Sequence, residues 1–205
     1  MAQPLGYLRE SPSQTAGPYV HIGCTPNFTG ITGIYEKDLG SGPMVDDKTR
    51  GERITIRGRV FDGTGAPLRD ALVEIWQADA DGFYNSPSET RGKADPSFFG
   101  WGRCPADMVT GEFLFETIKP GRVPFNDGRM MAPHVTFWIV ARGINIGLQT
   151  RMYFSDEETA NAEDPILMRL EHRTRVPTLI GRRDGDTVTF DIHLQGELET
   201  VFFDI

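Results

Sequence analysis

The chain has 205 residues, 39% of them hydrophobic, which is enough to bury a substantial core as one domain spanning 1–205. It carries no apolar run of membrane-spanning length, and a net charge of −8 without a basic patch argues against membrane and nucleic-acid partners. The N-terminus lacks a basic flank before an apolar stretch, so no secretory signal is read; the chain is expected in the cytoplasm, with Cys24 and Cys104 as free thiols.

In chain order, residues 1–50 read as an extended arm followed by a glycine-rich irregular region, with the folded core over 51–205. Pro12 and Pro18 discourage helix there, because proline lacks a backbone donor and restricts the residue before it. The "GPYV" segment sets Tyr19 on a stiff backbone, as in a docking segment. From residue 54 the pattern turns to period two. Ile54, Ile56 and Val60 alternate with Thr55, Arg57 and Arg59, which predicts a half-buried strand. "ALVEIWQA", "GEFLFETI", "HVTFWIV" and "TRMYF" are further strands, and residues 85–107 read as one long loop.

One helix is expected near 156–170, opened by a capping box of Ser155 and Glu158 and ended or kinked by Pro165. "DTVTFDIHL" and "LETVFFDI" are expected to close the fold as two strands. Six or seven short strands and one helix predict an all-β fold, a β-sandwich with long loops.

His134 opens a strand beside a loop rich in turn formers, where a small-molecule site would sit. Thr136 shares its face, but a threonine hydroxyl is a poor metal partner for an imidazole. On the residues alone, His134 is a hydrogen-bonded structural histidine before it is a ligand, and Tyr84 an amphipathic ring with a wet hydroxyl. His21, His172 and His193 show no ligand spacing, and there is no nucleophile elbow, P-loop or dinucleotide fingerprint.

Several strings together resemble one family. "PSQTAGPYVHIG", "GRVFDGTGAPLRDALVEIWQADADGFY", "FETIKPG", "APHVTFWIVARGIN", "TRMYF" and "LQGELETVFFDI" are similar to the intradiol ring-cleavage dioxygenases, over nearly the whole chain. The resemblance implies a β-sandwich whose catalytic chain holds a non-haem ferric iron with two tyrosines and two histidines, activating a small aromatic diol for attack by dioxygen. Tyr84 and His134 stand at two of those positions. Val123 and Thr136 stand at the others, and Met131 replaces an arginine of the catalytic chain.

These departures match the α-type chain of the family. The resemblance therefore implies no catalytic residue and no metal in this chain, with iron held by a homologous β-type partner. It also implies that Thr15, Gly17, Pro18 and Tyr19 form part of the wall of the partner's pocket. Arg142 is a candidate for a substrate carboxylate or, equally, for a structural ion pair. A self-sufficient metalloenzyme with a reduced ligand set and a β-sandwich module binding aromatic acids are the alternatives.

Overall fold

The computed structural model describes residues 15–204. Their elements run α1 (Pro18–Cys24), β1 (Arg53–Phe61), β2 (Leu72–Trp76), β3 (Trp101–Pro105), β4 (Glu112–Ile118), β5 (His134–Val140) and β6 (Leu148–Phe154), then α2 (Glu158–Glu163). After 3-10 turns at Leu167–Arg169 and Arg173–Leu179 come β7 (Ile180–Asp184), β8 (Thr187–Thr189) and β9 (Ile192–His193). No helix among the described residues is long and apolar enough to cross a membrane.

The strands pair in the order β3-β2-β5-β6-β7-β8-β1-β4, with β9 beside β1. Pairing is antiparallel except where β1 meets β8 and β9 and where β6 meets β7. Strand β7 is the link. It runs parallel to the end of β6 and antiparallel to β8, and so joins a β3-β2-β5-β6 half to a β8-β1-β4 half. The two halves face each other across aromatic rings: Phe137 of β5 meets Phe113 of β4 at 6.0 Å and Phe190 at 5.2 Å. The expected all-β sandwich is the observed fold.

The inward residues of β1 are Ile54, Ile56, Gly58 and Val60, as period two demands. Gly58 stands in that row because Phe190 lies across it: a Cβ there would sit 1.9 Å from the Phe190 carbonyl oxygen. Strands β3 and β7 are corrections, since β3 falls inside the expected loop 85–107 and β7 was not expected at all. Both carry glycine at a buried position. A Cβ at Gly102 would crowd Met44 and Phe115, and one at Gly181 would crowd Met152 and Val188. Bulk from neighbouring strands fills the inward space, so the apolar alternation that marks a strand is missing from the sequence.

Three further expectations are corrected. Residues 18–24 form a helix rather than extended chain. Pro18 occupies its first turn, where a missing N–H costs nothing and the fixed φ suits the helix. Residues 1–14 of the expected arm lie outside the described residues.

The 156–170 helix is two pieces divided at Asp164, which is extended (φ −62°, ψ 123°) as the residue before Pro165 must be. Ser155 does not cap it; its Oγ accepts the Arg183 N–H at 3.0 Å, and Glu157 occupies the N-cap.

The C-terminal segment is no strand. It touches the edge of β6 through one bridge, Gln149 to Phe203, because β7 has already claimed the far end of β6 at Tyr153 and Phe154.

Candidate functional site

The outer face of β2, β5 and β6 carries two rows in register. Trp76, Thr136 and Arg151 lie side by side across the three strands, and His134 pairs with Tyr153 one step along. Tyr84, reached after the turn that follows β2, stacks flat on Trp76 with centroids 5.8 Å apart and 2° between planes. Val123 is 6% exposed and packs with Ala78 and Met131, with Tyr84, Phe125 and Ile166 around them. An open hollow of 370 Å³ beside them is lined by Trp76, Tyr84, Glu89, Arg91 and Val123, among others.

His134 is 4% exposed, and its Nδ1 lies 2.8 Å from the Ala132 carbonyl oxygen. A carbonyl only accepts, so Nδ1 carries the proton and Nε2 the lone pair. Burial, then the positive charge of Arg151, lowers the His134 pKa to about 4, and the ring is neutral at neutral pH. Burial raises the Tyr84 phenol above its ordinary range.

Asp164, fully buried, shapes the approach to β5. Its carboxylate accepts the N–H groups of Ala132 at 2.8 Å, Ile166 at 2.8 Å and Leu167 at 2.9 Å, and the Tyr153 hydroxyl at 3.3 Å. Tyr153 is pushed well above the ordinary phenol range by burial and by the Asp164 charge.

The donor set does not fit ferric iron. A hard trivalent cation wants anionic oxygen and imidazole ligands, and this face offers one imidazole and two phenols held in their neutral form, of which Tyr153 already donates to Asp164. Val123 contributes only methyl groups, and Thr136 a neutral hydroxyl. No histidine, cysteine or carboxylate cluster among the described residues supplies the missing donors.

A second constellation lies at the arm. The Gly143 N–H donates to the Thr15 hydroxyl oxygen at 3.0 Å, which fastens residue 15 to the turn carrying Arg142. Ala16, Gly17, His21, Ile22, Phe28, Met108 and Arg142 are among the residues around an open hollow of 740 Å³ with mostly apolar walls. A Cβ on Gly17 would meet nothing within 4 Å in this chain. Tyr19 is 84% exposed and lies outside that lining.

Arg142 faces Asp70 at 3.4 Å, with 73% of its side chain exposed. An exposed pair of this kind contributes little stability and yields readily to another anion. His21 helps hold the wall, its Nε2 2.9 Å from the Asp70 carbonyl oxygen.

The structure thus brings Thr15, Gly17 and Arg142 to one place, and sets Tyr84 and Val123 together near the His134–Thr136 strand. Sequence reasoning missed Arg151, Tyr153 and Asp164. The signal for the first two lay in "TRMYF", where period two sets Arg151 and Tyr153 on one face.

The fold agrees with what the chain is similar to. A family model described as "Dioxygenase" matches residues 24–196. The protocatechuate 3,4-dioxygenase alpha chain of Pseudomonas putida is 43% identical, over 98% of this chain and 99% of its own length. The beta chain of the same-named enzyme from Burkholderia cepacia is 36% identical over 80% of this chain and 73% of its own. A solved dioxygenase domain from Streptomyces sp. SirexAA-E superposes with a TM-score of 0.55 at 24% identity, covering 93% of this chain and 98% of that one, and speaks to fold alone. The chain belongs to the intradiol ring-cleavage dioxygenase family, with end-to-end similarity to its alpha chains.

Proposed function

We propose that this chain is the non-catalytic alpha subunit of a protocatechuate 3,4-dioxygenase. With a beta chain that holds ferric iron, it would cleave protocatechuate (3,4-dihydroxybenzoate) with dioxygen to 3-carboxy-cis,cis-muconate. The observation that carries the proposal is the broken donor set: Val123 and Thr136 stand beside Tyr84 and His134 where a catalytic chain needs four ligands.

The iron supplies the oxidative chemistry in the partner, and this chain's residues bind and orient. Arg142, loosely paired with Asp70, offers a guanidinium suited to the ring carboxylate. The Thr15 hydroxyl accepts the Gly143 N–H and so ties the arm to the turn that carries Arg142. Gly17, with open space at its Cβ position, lets a partner or substrate lie against backbone. Pro18 would stiffen that backbone, and Tyr19, exposed on α1, would face the partner. The working unit is an alpha-beta protomer in a larger cytoplasmic assembly.

The test is to produce the chain alone and together with a beta chain, and to measure oxygen uptake on protocatechuate. Uptake only in the mixed preparation is expected; turnover by the lone chain overturns the proposal.

A further inference from the structure

Two donors are lost at the remnant site, yet the same face carries a cation of its own. Arg151 lies directly across from Thr136 in the β5–β6 register, one row from His134. Its side chain reaches back toward the loop before β5, where Nη1 meets the Met131 sulfur at 3.5 Å. The guanidinium also lies 6.0 Å from the centroid of the Phe203 ring, which the C-terminal segment lays over the β6 edge. Arg151 is half-buried, and no carboxylate is within ion-pair distance of it among the described residues. Its charge adds to burial in lowering the His134 pKa, and opposes the burial that raises Tyr84 and Tyr153.

We infer that Arg151 is the site's own tethered cation, and that it keeps metal ions out of the Tyr84–His134 remnant beyond what the loss of ligands does. A thioether, an aromatic face and the Tyr153 hydroxyl are weak, uncharged partners. The Asp164 carboxylate, engaged by Tyr153 and three backbone N–H groups, opposes the guanidinium's field, but at His134 the arginine outweighs it. Each unit of charge on an incoming ion meets that field, and a trivalent ion is repelled more strongly than a divalent one. Sheet register fixes the Arg151 backbone, and contacts with the Met131 sulfur, the Phe203 ring and Tyr153 direct its side chain across this face. The metal-free state is then held by two independent devices, absent donors and a present charge. This inference rests on the proposed metal-free role of the chain, and the experiment keeps the two apart.

The test restores the donors with and without the cation, in the complex with an iron-bearing beta chain. The variants are Val123→Tyr/Thr136→His, the same pair with Arg151→Gln, and the same pair with Arg151→Lys. Metal analysis and visible absorption of tyrosinate-bound ferric iron are the readouts. The pair alone, and the pair with lysine, are expected to bind iron at least about tenfold more weakly than the pair with glutamine, which gains a further iron and its colour. Equal iron in all three variants overturns the inference, and so does iron in none of them. Thr136→His with and without Arg151→Gln leaves the buried Val123 intact and serves where the larger set does not fold. Cobalt(II) uptake, followed by its visible absorption, must then appear only without the arginine. Iron in this chain before any substitution would instead sink the metal-free role itself.

Discussion

At the scale of single residues, the pairs His134–Ala132 and Arg142–Asp70 make different predictions. The folded His134 ring takes a proton only near pH 4, whereas a solvated imidazole takes one near 6.5. Acid therefore favours the unfolded chain. The contribution is complete above about pH 6.5 and is lost as pH falls toward 4, on the order of 3 kcal/mol across the window.

Urea unfolding at pH 7 and pH 5 measures this. His134→Asn, whose amide can still donate to the Ala132 carbonyl, is expected to flatten the dependence; a slope unchanged by the substitution would contradict the account. For Arg142→Gln in the assembled enzyme, the loss of a charge-assisted hydrogen bond of about 1.5–3 kcal/mol predicts kcat/KM lower by roughly ten- to a hundredfold. Steady-state oxygen uptake reads it, and assembly, followed by sedimentation, should stay intact. Full kcat/KM would return Arg142 to a mere surface ion pair.

At the scale of elements, glycine decides what could be read. β1, β4 and β5 were legible because their inward positions are mostly large and apolar. β3 and β7 hid because Gly102 and Gly181 stand where Met44, Phe115, Met152 and Val188 already fill the space. The same geometry makes Gly58→Ala costly. Its new methyl would collide with the Phe190 carbonyl, and backbone cannot step aside as a side-chain tip can, so about 2–3 kcal/mol or more of destabilisation is expected by thermal unfolding. An unshifted Tm would mean that β1 and the Phe190 crossing are looser than described.

The arm's helix hides from the sequence for a different reason. Proline breaks a helix in its interior, but Pro18 stands at the first turn, where it starts one. Thr15→Val removes the acceptor for the Gly143 N–H while keeping shape. It should raise KM for protocatechuate severalfold with kcat nearly unchanged, because it loosens the wall without touching the chemistry.

At the scale of the molecule, one sandwich carries two separate groups of residues, one on a sheet face and one at the arm. One face of β2, β5 and β6 gathers the Tyr84 and Tyr153 phenols and the His134 imidazole around Arg151. The arm and the Arg142 turn, fastened together by Thr15, line an open, mostly apolar hollow. The resemblance singles out Val123 and Thr136, and the structure shows that neither offers an anionic or imidazole donor. Arg151 was not legible, because its meaning depends on strand register, which spacing alone does not give.

The most direct measurement substitutes Tyr84→Phe in this chain only, keeps the stack on Trp76, and assays the complex with an iron-bearing beta chain. Iron content, visible colour and turnover of protocatechuate should match the unsubstituted complex. Loss of iron or of turnover would mean that the chemistry takes place in this chain after all.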